Sequence, residues 1–232
     1  MRAVFDHPLF FKITVNLKYE LLAVCRCYQD MIYPLLFLIL VIVLFPLSVS
    51  PDPVLLNKIS AGIFWIVVLF LVLLMLDQLF RNDRKEGDLE QLILTPNALS
   101  LAIFIKLLVF CLAISLPLIV MTPFLSLCLY IPIRALKTLC WSIFLGTPSL
   151  IFLGGIARAL TLGLRHSGLL IVLIVIPFYI PVLIFASSAV SFASMGSSAN
   201  GPLAWLSVLM LLSVSLSPLV IRMILRLGIA FV

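Results

Sequence analysis

The feature that most restricts this chain is the length of its charge-free runs. Residues 31–51 contain no Asp, Glu, Lys, Arg or His, and neither do residues 59–76, 107–133 or 138–157. Residues 167–221 are free of them too, and a break at the turn-rich stretch GSSANGP, residues 196–202, divides them into two runs. A helix needs about 20 apolar residues to cross the hydrocarbon core of a bilayer, so the pattern predicts six spans. Barrel strands are half that length and alternate in character, which these runs do not. The predicted fold class is all-α: a polytopic membrane protein forming a single transmembrane domain over residues 1–232. Composition agrees, since 64% of the residues are hydrophobic and only 10% charged, against roughly 25% charged in a soluble domain. The first run begins late, follows Asp30 and exceeds an ordinary signal-peptide core, so it is read as a retained span.

Basic residues predict the orientation. With a cytoplasmic N-terminus, the inner segments hold Arg2, Lys12, Lys18, Arg26, Arg81, Arg84, Lys85, Arg158, Arg165, Arg222 and Arg226, whereas the outer ones hold only Lys58, Arg134 and Lys137. This positive-inside bias places both termini in the cytoplasm. Every acidic residue lies at or before Glu90. The cationic remainder suits anionic lipid headgroups, and the net charge of +6 is not read as nucleic-acid binding. Before the first span, Lys12, Asn16 and Glu20 share one helical side, joined later by Arg26 and Asp30, while Ile13, Leu17, Leu21, Val24 and Tyr28 share the other. Residues 1–30 are therefore expected to hold an amphipathic helix, suited equally to the membrane interface and to another subunit.

One compact charged stretch interrupts the apolar blocks: LDQLFRNDRKEGDLEQLILTP, residues 76–96. Asp77 to Lys85 is expected to extend the second span beyond the membrane, and Gly87 to break it. Asp88 is placed as an N-cap with Gln91 three residues on. Leu89, Leu92 and Ile93 then give a short helix one apolar face before Thr95 and Pro96 close it. Two turns are not stable alone in water, so something must receive that face. It folds back on its own membrane domain or plugs a groove on a soluble partner, with nearby charges setting register.

These residues resemble a known family. LFRNDRKEGDLEQLILTP is similar to the cytoplasmic loop of the cytochrome c maturation B-type proteins, also called heme exporter protein B. LFPLSVSPDP resembles the end of that family's first span, LGTPSLIFLGGIARALTLGLR its fourth span and following loop, and IPFYIPVLIFASSAV its fifth. The matches recur in order across roughly residues 44–190; the two ends match mainly in character. Gly146, Thr147, Pro148, Gly154 and Gly155 carry much of the likeness, and are read as packing positions that permit kinks and close helix contact.

The resemblance implies an ABC-2-exporter-like membrane subunit in the bacterial inner membrane, with residues 77–97 as a cytoplasmic coupling loop. Its implied partners are a separate A-type ATPase, the C-type and D-type membrane proteins and, indirectly, the E-type heme chaperone. ATP hydrolysis would be coupled to heme export or to release of the heme-loaded chaperone. Asp83, Glu86, Gly87, Asp88, Leu89, Glu90, Leu92 and Ile93 are the implied docking residues: Leu89, Leu92 and Ile93 enter the ATPase groove, and Asp83, Glu86, Asp88 and Glu90 orient it.

The remaining residues limit the chemistry. No G-x-x-x-x-G-K-[ST] phosphate loop, HExxH or GxSxG occurs, so ATP would be bound by the partner and the chain itself is not read as an enzyme. His7 and His166 are both predicted cytoplasmic, no C-x-x-C-H motif exists, and Trp65, Trp141 and Trp205 are scattered; no heme-binding, metal or catalytic residue is assigned. The cysteines 25, 27, 111, 128 and 140 lack metal-site spacing and are mostly read as small buried hydrophobes. Lys106 is taken as the one charge inside a span, snorkelling to the inner face. Two alternatives stay open: a permease of the same architecture for another amphipathic molecule, and a non-transporting scaffold.

Overall fold

A computed structural model describes residues 28–49, 52–76, 79, 99–161 and 167–229. Those residues form six helices: α1 (Tyr28–Val49), α2 (Pro53–Leu76), α3 (Leu99–Cys128), α4 (Ile133–Leu160), α5 (Ser167–Ser194) and α6 (Asn200–Ile229). Each is long and apolar enough to cross a membrane, and no strand occurs among the described residues. A helix satisfies its own backbone within lipid; proline nevertheless stands at eight interior helix positions, including Pro148 in α4 and Pro177 and Pro181 in α5, where packed neighbours and local adjustment compensate for the lost N–H bond. Buried hydroxyls fold back onto their own helices: Thr122 donates to the Leu118 carbonyl at 2.7 Å and Ser142 to that of Leu139 at 2.8 Å.

Short connections make α1 and α2, α3 and α4, α4 and α5, and α5 and α6 antiparallel neighbours, whereas α2 and α3 are separated by the long charged stretch. The bundle thus has a near end, where α2 leads into the charged stretch, and a far end. Asp52 caps α2 at the far end, its carboxylate accepting from the Val54 N–H at 3.1 Å. Two further far-end connections share one geometry. After α5, Ser197 N–H bonds to the Phe192 carbonyl at 2.9 Å and Gly196 N–H to that of Ala193 at 3.1 Å, with Gly196 at φ +77°. After α3, Ile131 N–H bonds to Ser126 at 2.9 Å and Tyr130 N–H to Leu127 at 3.2 Å. Both are Schellman caps, which need a left-handed residue; glycine fills that place after α5, and Tyr130 fills it at φ 53°. The Arg134 guanidinium donates to the Ser194 carbonyl, so a cation from α4 sits on the negative end of the α5 dipole.

Helix α4 is the axis. It packs against α2, α3, α5 and α6, while α1 lies at the edge against α2 and α3. It is also the least hydropathic span, yet as buried as any. The two facts have one cause: lipid tails are as apolar as leucine, so the buried centre of a membrane bundle is marked by small residues that let neighbours approach. Ser142, Gly146, Thr147, Ser149, Gly154 and Gly155 are all buried. Leu and Phe side chains of α1, α5 and α6 face outward instead, among them Leu47, Leu173 and Leu211. Exposed Tyr130, Trp141 and Trp205 cluster toward the far end, as aromatic residues do at a membrane–water boundary.

Several expectations change. The helices run beyond the charge-free windows, because cationic side chains near helix ends reach the interface along their own stems. Lys58, Arg134, Lys137, Arg158 and Arg222 therefore stand inside helices, and Lys106 is not alone. Arg158 is the largest departure: it sits in the last turn of α4 and is only 7% exposed. Of the described cysteines Cys111 is buried, whereas Cys128 and Cys140 are half-buried. The amphipathic helix of residues 1–30 lies outside the described residues, apart from the start of α1.

Candidate functional site

The docking residues expected from sequence, Asp83, Glu86, Gly87, Asp88, Leu89, Glu90, Leu92 and Ile93, lie outside the described residues, as do His7 and His166. What the structure shows is the place on the bundle from which that stretch departs. Helix α2 ends at Leu76, and Leu79 sits in a turn, its N–H bonded to the Leu76 carbonyl at 3.2 Å. Although it belongs to the charged stretch, Leu79 is only 3% exposed.

It packs against α4 at Gly155. A Cβ placed on Gly155 would come within 2.9 Å of Leu107 Cδ2, 3.4 Å of Ile221 Cδ1 and 3.7 Å of Leu79 Cδ2. At Gly155, therefore, α3, α6 and the residues after α2 all converge on α4. Gly154 is the neighbouring notch, filled by the Leu76 side chain and the Tyr179 hydroxyl. That hydroxyl donates to the Leu150 carbonyl at 2.6 Å, bonding α5 to the same stretch of α4. Toward the middle of the membrane the outer edge of the Trp65 indole (Cζ3, Cη2, Cζ2) occupies the space that a side chain at Gly146 would take, and Phe64 meets the indole edge-on at a centroid distance of 6.2 Å.

Three cations lie close along the chain to the residues of the near-end convergence. Lys106 precedes Leu107, Arg222 follows Ile221, and Arg158 lies three residues beyond Gly155 on the same side of α4. Lys106 and Arg158 both engage other groups of the chain. Burying a guanidinium is costly unless it is partnered, so Arg158 marks a built feature and not lipid-facing filler. Sequence reasoning missed Leu79, Gly155 and Arg158 as a group. The signal was present in the small residues of α4, but three of the four contributing elements are distant in sequence.

Among the described residues no three His, Cys, Asp or Glu side chains come together as metal ligands would. Among the described residues the buried polar groups of the α4 centre are hydroxyls and the Trp65 indole N–H, groups that donate or accept hydrogen bonds.

Comparison with known proteins decides the family. The model of the CcmB protein family matches residues 11–228. The chain belongs to that family. Three curated relatives, each named heme exporter protein B, are similar over most of the chain. The Pseudomonas aeruginosa protein is 43% identical over 188 residues, 81% of this chain and 84% of its own. The Haemophilus influenzae protein is 42% identical over 212 residues, 91% of this chain and 96% of its own. The Escherichia coli K12 protein is 38% identical over 212 residues, 91% of this chain and 96% of its own. The family match spans all six helices and the charged stretch, so the convergence at Gly155 lies within the shared region.

Proposed function

We propose that this chain is the membrane subunit of an ATP-driven complex in cytochrome c maturation, coupling hydrolysis by a separate ATPase to heme export or to release of a heme-loaded chaperone. Family membership over residues 11–228 carries the reading. The relatives' shared name supplies the cargo, heme. The chain's own residues supply the need for a partner, since the sequence holds no phosphate-binding loop.

In this reading the near end faces the cytoplasm, where the positive-inside bias puts it. Leu89, Leu92 and Ile93 enter a groove on the ATPase, while Asp83, Glu86, Asp88 and Glu90 fix its register around Gly87. The C-type and D-type membrane proteins share the complex, and the E-type chaperone receives its product. Leu92→Asp places a carboxylate in the apolar plug, so the ATPase should no longer co-purify with the chain and holocytochrome c should fall with it. Unchanged co-purification and unchanged holocytochrome c would sink the docking assignment.

The relatives' name also favours a second reading, in which the chain itself carries heme across the bilayer. Reconstituted vesicles separate the two: ATP-dependent heme movement by the chain and ATPase alone supports direct carriage.

A further inference from the structure

The two residues that grip α4 at its near end are spaced as i and i+3 across the end of α2. Leu76 fills the notch at Gly154, and Leu79 lies against Gly155. Each is buried, at 0% and 3% exposure. Leu79 is thus a member of the charged stretch that is packed into the membrane domain. Close-packed interiors do not deform continuously, so a displacement at such a contact shifts the whole element behind it. The element here is α4, which touches every helix except α1 across substantial contact surfaces.

We propose that Leu76 and Leu79, seated on Gly154 and Gly155, form the joint through which movement of the charged stretch drives α4. The proposal rests on the docking reading above and adds what that reading lacks, a route from the docked segment into the bundle. Leu107 and Ile221 close the other sides of the Gly155 notch, so Leu79 cannot slide without displacing α3 or α6 as well. Tyr179 holds the Gly154 notch from the α5 side, so motion of α4 also reaches α5. Leu79 acts as a positioning residue: it binds neither nucleotide nor cargo.

The test uses the full complex. Leu79→Ala removes the contact and leaves Leu89, Leu92 and Ile93 in place. The expected result is full co-purification of the ATPase and continued ATP hydrolysis, with holocytochrome c reduced about fivefold, the scale on which residues along a coupling route act. Leu79→Met, which refills the notch, should restore most of the yield. Normal holocytochrome c from Leu79→Ala would overturn the proposal, and so would loss of the ATPase in step with loss of yield. Should Leu79→Ala fail to accumulate in the membrane, Gly155→Ala is read in the same way, because its Cβ would come within 2.9 Å of Leu107 Cδ2 and force a shift in the wall of the notch that seats Leu79; unimpaired output from it overturns the joint. Failure of docking is distinct, since there Leu92→Asp retains the ATPase. Failure of the joint leaves Leu92→Asp defective and Leu79→Ala active.

Discussion

The Tyr179 hydroxyl bonds to the Leu150 carbonyl oxygen at 2.6 Å, so α5 is tied to the backbone of α4 and does not merely pack on it. The helix ladder already assigns that carbonyl to the Gly154 N–H, and Gly154 is the residue whose missing side chain admits the hydroxyl. Bond and notch are one construction.

Removing the bond alone should be mild. Tyr179→Phe is expected to lower stability by about 1 kcal/mol, the scale of an interhelical hydrogen bond in lipid, measured by thermal unfolding in detergent. Gly154→Val should be worse, because its side chain would occupy the space of both the hydroxyl and Leu76. Combining Gly154→Ala with Tyr179→Phe should cost less than the sum of the single changes, as expected for residues sharing one site.

Gly146 predicts a sharper failure. A Cβ there would lie 2.9 Å from Trp65 Cζ3, and the indole is fully buried, so it has nowhere to move. Gly146→Val should destabilise by about 3 kcal/mol through overpacking, seen as loss of the chain from membranes. Trp65→Leu in the same chain should restore accumulation in part. An unimpaired single variant would show that the two helices separate readily.

Arg134 predicts a small, charge-dependent effect. Its guanidinium lies on the Ser194 carbonyl at the end of α5, where a cation stabilises by about 0.5 kcal/mol. Arg134→Ala should lower the unfolding midpoint slightly, and Arg134→Lys should keep part of the loss from appearing. Raising the salt concentration should shrink the difference between them.

Orientation is checked by chemistry from either side of the membrane. In a chain whose native cysteines are replaced, a cysteine at Lys58 should react with an impermeant maleimide added to intact cells. One at Asp88 should react only after permeabilisation. Labelling at Asp88 from outside would invert the topology drawn from the basic residues and remove the basis for ATPase docking.

The spans were legible because charge is excluded from hydrocarbon: every charge-free run became a helix, and the break expected at 196–202 falls at the junction of α5 and α6, with Asn200, Gly201 and Pro202 opening α6. Their ends were less legible, because Arg158 and Lys58 are compatible with both a helix terminus and a loop. Position in the bundle was hardly legible at all. The density of Gly, Ser and Thr in α4 marks a helix with close neighbours, yet nothing local says that the neighbours of Gly155 are Leu79, Leu107 and Ile221. That information is carried by packing between distant segments. The charged stretch shows the opposite case: the docking role proposed for it rests on its own pattern and its family, while the structure describes only Leu76 and Leu79 of it.

The far end carries two left-handed caps and an arginine bridge, and these have a mechanical consequence. Helices α3 and α4 are stitched by a tight turn, as are α5 and α6, and Arg134 then fastens one pair to the other. With four rods joined at that tip, relative movement between them is expected to be larger at the opposite one, beside Leu79.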